Sequence, residues 1–156
     1  MRALVRLPIL ACVATAIALL PTAASATWSV IAVDTRTGVV VVASATCVTA
    51  ESLRTRGGLK SIQAVVVPGI GVAAAQAGVD GTRANQTLIF EQIRVGTNPD
   101  EIIRMLSEDE NFQRRQFGIV DLQGRMAGFS GERNGFASHG NKKGASDGRS
   151  VVRGGG

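Results

Sequence analysis

A threonine at the start of a chain can be nucleophile and base in one residue, because its hydroxyl attacks while its own α-amine takes the proton. The segment Ala24-Ser25-Ala26-Thr27-Trp28 offers such a residue: cleavage after Ala26 would leave Thr27 first. An unperturbed α-amine titrates at ~7.7 to 8, so this unit works near neutral pH without a histidine. A donor for the developing oxyanion would come from backbone N–H groups at strand ends, or from a side-chain amide such as Gln76.

Other chemistries find fewer parts. Beyond residue 26 the chain holds one cysteine, Cys47, and one histidine, His139, whereas a structural zinc ion takes about four Cys, His or carboxylate ligands. No metal or cofactor is expected. A Cys47–His139 pair, or a serine triad built on His139, needs a base held within ~2.6 to 3.2 Å of its nucleophile, and His139 lies in a glycine-rich stretch unsuited to holding it. A thiol-dependent protein using Cys47 is a third reading, although a small buried apolar residue is the commoner role of a single cysteine. Gly69-Ile70-Gly71-Val72-Ala73-Ala74, with Glu91 downstream, matches a relaxed dinucleotide fingerprint. Pro68-Gly69 between two apolar runs favours a hairpin instead, and nucleotide binding is set aside.

The N-terminus has the three-part layout of a secretory signal: Arg2 and Arg6, an apolar run from Leu7 to Leu20, then Pro21 and the small residues Ala24 and Ala26. The run falls short of the ~20 residues a membrane-spanning helix needs. An exported protein is therefore expected, periplasmic or extracellular, with no stable membrane anchor after cleavage. Ile9-Leu10-Ala11-Cys12 resembles a lipoprotein site only weakly, since it sits inside the apolar run. Cleavage removes Arg2, Arg6 and Cys12, lowers the formal charge from +5 to +3, and leaves no second cysteine for an internal disulfide.

The 156 residues, 45% of them hydrophobic, suffice for one domain. Residues 27–34 read as a strand, Asp34-Thr35-Arg36-Thr37-Gly38 as a turn, and Val39-Val40-Val41-Val42-Ala43 as a second strand, apolar on both faces and so expected to lie between two layers. If Asp34 pairs with Val39, Thr27 falls opposite Thr46, Ser29 opposite Ser44, Ile31 opposite Val42 and Val33 opposite Val40. That face would be oily near the turn and hydroxyl-rich around Thr27; a slip of one residue would bring Cys47 opposite Thr27 instead. Residues 49–61, with Arg54, Arg56 and Lys60, read as a basic mobile loop. Ile62–Val67 and Ile70–Ala77 form a second hairpin around Pro68-Gly69, with Gln76 near its open end. Asp80 and Asn98 are expected to cap two helices, the first reaching Val95 and the second carrying Ile102, Ile103 and Leu106 on one stripe. Residues 115–121 and 125–130 make a third hairpin. The order ββββααββ indicates an α+β layered fold. From Gly131 onward eight of the last 26 residues are glycine, so a basic, disordered tail is expected and no nucleic-acid partner is assigned. The divisions are a signal over 1–26, a domain over 27–131 and the tail over 132–156.

Thr27-Trp28-Ser29-Val30-Ile31-Ala32-Val33-Asp34, Pro68-Gly69-Ile70-Gly71-Val72-Ala73-Ala74-Ala75-Gln76-Ala77, Arg115 to Arg125 and Ser130-Gly131-Glu132 together resemble an N-terminal-nucleophile (Ntn) hydrolase-like family, domain of unknown function 1028. The resemblance covers about residues 27 to 140. It implies an αββα sandwich whose first strand opens with the nucleophile, here Thr27, and an amide substrate, a small molecule or peptide, cleaved through an acyl-enzyme. Gln76, Arg115 and Gln116 fall at family positions, and with Ser29, Ser44 and Thr46 they are the supporting candidates. The C-terminal end departs from the family pattern: Ala137-Ser138-His139-Gly140 fits imperfectly, a Gln-Gly-Asn segment and the following helix are missing, and Lys142 to Gly156 looks like unrelated sequence left by truncation or frameshift. An incomplete sandwich would bare a sheet edge and apolar surface, which a homo-oligomer would cover. The resulting expectation is an exported Ntn-type amide hydrolase; the alternative is a noncatalytic secreted binding domain or a truncated, inactive relic.

Overall fold

The structure, a computed structural model, describes residues 27–134 and the strand segments 139–144 and 149–155; the signal-sequence reading of residues 1–26 lies outside them. Thr27–Asp34 is β1 and Val39–Thr46 is β2. Two short helices follow, α1 (Ala50–Arg54) and α2 (Gly58–Gln63), then β3 (Ala64–Val67) and β4 (Gly71–Ala77). Next come α3 (Ala84–Arg94) and α4 (Pro99–Leu106), and a 3-10 turn at Phe112–Arg114 leads into β5 (Arg115–Asp121) and β6 (Met126–Ser130). His139–Gly144 is β7 and Arg149–Gly155 is β8. The strands make two antiparallel sheets, β2-β1-β8-β7 and β3-β4-β5-β6. The fold is mixed α+β.

The β1–β2 register is the one expected from the turn: Thr27 opposite Thr46, Ser29 opposite Ser44, Ile31 opposite Val42, Val33 opposite Val40. Gly69, at φ 73°, supplies the left-handed turn residue between β3 and β4. Asn98 caps α4 by accepting from the Asp100 N–H at 3.0 Å. Asp80 stands before α3, where its carboxylate accepts from the N–H groups of Thr82 and Asn85, both at 2.9 Å.

Two apolar clusters hold the layers together. Ile31 and Val33 of β1 meet Val72, Ala74 and Val120 between the sheets. On the far side of the second sheet, Ala73, Ala75 and Ile119 pack against Ile89 and Ile93 of α3 and Ile102 and Leu106 of α4. Ile31, Ile89, Ile102, Leu106 and Ile119 are essentially inaccessible, and burying each such side chain contributes about 1.5 to 3 kcal/mol.

Three expectations need correction. Among the described residues the first sheet is not covered on both faces: Trp28, Val39 and Val41 are 49%, 54% and 47% exposed, because both longer helices pack on the other sheet. The segment 49–61 is no plain loop; Thr49 caps α1 by accepting from the Ser52 N–H at 3.3 Å, and α2 takes Ile62 and Gln63 from the expected strand, which starts at Ala64. The glycine-rich tail carries two strands, with β8 paired to β1 from Trp28–Gly155 to Asp34–Arg149. Pairing of that kind is made by the backbone, so sparse side chains do not prevent it.

Candidate active site

Thr27 opens β1 at the hydroxyl-rich end of the hairpin face. Its Oγ1 lies 2.8 Å from Thr46 Oγ1, and Thr46 Oγ1 also accepts the Val48 N–H at 3.1 Å. That second bond orients the Thr46 hydroxyl, whose proton can then point at Thr27 Oγ1. Both threonines line a cavity of about 90 Å³ whose other walls come from α1, α2, β4 and the segment after it.

Behind Thr27 runs a ladder of buried amides. Gln63 Nε2 donates to Gln76 Oε1 and Gln76 Nε2 donates to Gln116 Oε1. Gln116 Nε2 donates in turn to Ser130 Oγ at 2.9 Å. Gln76 Nε2 also reaches the Thr27 carbonyl at 3.3 Å. Both Nε2 hydrogens of Gln76 are thus engaged within the protein, so this amide holds the β1 backbone instead of pointing at substrate. Gln63 is 2% exposed, and its Oε1 is a buried acceptor without a hydrogen-bond partner among the described residues.

The remaining candidates separate. Ser29 is buried on the inner face, while Ser44 lines a neighbouring cavity of about 380 Å³ and not the one at Thr27. Arg115 is part of a structural clamp: its Nε donates to Asp109 Oδ2 at 3.0 Å and its guanidinium also donates to the Gly78 carbonyl. Burial pushes the Asp109 carboxyl up, but hydrogen bonds from Asn85, the Asn111 N–H and Arg115, with the arginine's charge, outweigh it and hold the carboxyl below its ordinary range. The structure therefore brings Thr27, Thr46, Gln76 and Gln116 together and places Arg115 elsewhere. Cys47 is exposed, one residue past β2, and does not line the Thr27 cavity; the expectation of a small buried residue is corrected by its place beyond the strand end. His139 stands at the start of β7.

Gln63 and Leu59 line the cavity and escaped the sequence reading, while Arg56, which also lines it, belongs to the segment read as a basic loop. The spacing of Leu59, Ile62 and Gln63, which suits one face of a short helix after Gly57-Gly58, was the available signal. Among the described residues no group of three or more His, Cys, Asp or Glu could hold a metal, and no helix is long and apolar enough to cross a membrane.

The fold is similar to that of protein SPO2555 from Silicibacter pomeroyi, known from a crystal structure and carrying the DUF1028 family description. The TM-score is 0.69 at 22% identity, over 84% of this chain and 52% of that one; the chain spans about half the length of that neighbour. At this identity the likeness concerns the fold alone. No curated protein matches the chain. A family described as of unknown function, DUF1028, matches residues 27–153, and the chain belongs to it.

Proposed function

We propose that the protein is an exported Ntn-type amide hydrolase whose nucleophile is Thr27, exposed as the first residue when a signal is removed after Ala26. On this reading the two packed sheets and their helical layer are part of an Ntn-hydrolase-like sandwich. The observation that carries it is the position of Thr27, which lines a cavity and has its Oγ1 2.8 Å from a second hydroxyl.

The α-amine of Thr27 takes the hydroxyl proton as Oγ1 attacks the amide carbon. Backbone N–H groups at the open end of β1 and β2 stabilise the oxyanion, and the Thr46 hydroxyl donates to Oγ1 as its charge develops. Collapse breaks the C–N bond; the α-ammonium returns its proton to the leaving amine, and the acyl group stays on Oγ1 as an ester. Water, deprotonated by the same amine, attacks the ester, releases the carboxylic acid and restores the Thr27 hydroxyl. Gln76 is a positioning residue, since it holds the Thr27 carbonyl.

Intact mass and N-terminal sequencing of the exported protein test the first step: the chain should begin at Thr27, and a start at Ser25 or Trp28, or a blocked amine, would end the proposal. Acyl transfer should then disappear with Thr27→Ala and persist with Thr27→Ser. A noncatalytic secreted binding domain is favoured instead by the exposed apolar face around Trp28, Val39 and Val41; it predicts no difference between the mature protein and Thr27→Ala.

A further inference from the structure

The cavity beside Thr27 has a size and a wall chemistry that the hydrolytic mechanism leaves unused. It measures about 90 Å³, its wall is mostly apolar, and Val48, Leu53, Leu59, Ile62, Ala75 and Val79 are among the residues that line it. On a scale where an apolar cavity of roughly 150 Å³ accommodates a benzene ring, 90 Å³ takes about three or four carbon atoms. Leu59 and Gln63 line both this cavity and the neighbour of about 380 Å³. They form a wall that the two cavities share. Arg56 carries the one cationic side chain among the described residues that line the small cavity, and it is solvent-exposed.

We propose that this cavity is the acyl subsite and that it selects amides of short aliphatic acids, with about three or four carbons beyond the carbonyl. The proposal rests on Thr27 as the nucleophile, because that assignment puts the reacting carbonyl beside the cavity. Acyl chains that fill the cavity exchange water for aliphatic contacts, and each added methylene speeds acylation about fourfold. Longer chains meet Leu59 and Gln63. Nothing covalent is added to the mechanism: the ester formed on Oγ1 simply carries a butyryl-sized group.

The test uses the mature chain beginning at Thr27 and the acetyl, butyryl, isovaleryl, octanoyl and succinyl amides of 4-nitroaniline. Nitroaniline release and the mass of acylated Thr27 are followed together. Butyryl and isovaleryl amides should acylate at least about tenfold faster than both acetyl and octanoyl. Leu59→Ala, which opens the shared wall, should move the optimum toward octanoyl; Leu53→Trp, which fills the cavity, should leave the acetyl amide as the best substrate. A preference for octanoyl in the unaltered protein would overturn the assignment. So would a preference for succinyl, which would point to Arg56, or an unchanged profile in both folded variants. Titration of Thr27→Ala with isovaleramide, read by ligand NMR, separates the two ideas. Binding without any acylation in the unaltered protein removes the nucleophile and keeps the subsite, whereas absence of binding removes the subsite.

Discussion

Replacing Asp109 with asparagine tests whether Arg115 is a structural clamp. The change keeps the shape and removes the charge. Asp109 accepts from Asn85 Nδ2 at 2.7 Å, the Asn111 N–H at 2.9 Å and Arg115 Nε at 3.0 Å, so an asparagine NH2 must face at least one donor. The pair is well enclosed, with side chains of Arg115 and Asp109 only 10% and 16% exposed. Removing one partner of a buried pair costs about 3 to 5 kcal/mol. Residual solvent access and the second bond from Arg115 to the Gly78 carbonyl place this case at the low end, ~3 kcal/mol. That corresponds to roughly 10 °C or more in Tm for a domain of this size. Because the folded Asp109 carboxyl titrates below its ordinary value, its stabilisation is complete above the unfolded value of ~3.9 and is lost as pH falls through the folded one. Urea melts of the protein and of its Asp109→Asn variant should therefore differ fully at neutral pH and converge below about pH 4. A loss under about 1 kcal/mol at neutral pH, the range of an exposed pair, would refute the clamp, as would a gap that stays constant on acidification.

Gln76→Leu breaks the amide ladder at its middle, taking the acceptor from Gln63 Nε2 and one donor from Gln116 Oε1; a buried group that loses its partner costs about 1 to 3 kcal/mol, and on the proposed hydrolysis turnover at Thr27 should fall with kcat more than with KM, read from the nitroanilide assay. Gly131→Ala would drive a Cβ into the Gln113 carbonyl, so the 3-10 turn must shift at a cost of about 1 to 3 kcal/mol, measurable by chemical denaturation.

The β1–β2 hairpin was legible because a four-residue turn and an apolar pattern fix its register together, and a slip would turn Ile31 and Val33 outward. The run Val39–Val42 misled for a related reason: with valine at every position, the sequence carries no sign that Val39 and Val41 face outward while Val40 and Val42 face the core. Strand β8 was missed because its attachment to β1 is a backbone ladder, which composition does not display. At the site, the Thr27–Thr46 pair followed from register alone. The roles of Gln63 and Arg115 did not, because each is decided by tertiary partners: Gln76 for one, Asp109 and the Gly78 carbonyl for the other.

The central place of β1 in its sheet also sets a timetable. One neighbour, β2, is joined to it by a tight turn, but the other, β8, comes from the far end of the sequence. A hairpin can close in about 1 to 10 μs, yet two strands alone are only marginally stable in water. Long-range pairing forms late, after its loop-closure entropy has been overcome. Thr27 therefore sits on a strand that is not locked until residues 149–155 have been made and paired, and on the proposed reading a chain that has not reached that point carries its nucleophile unassembled.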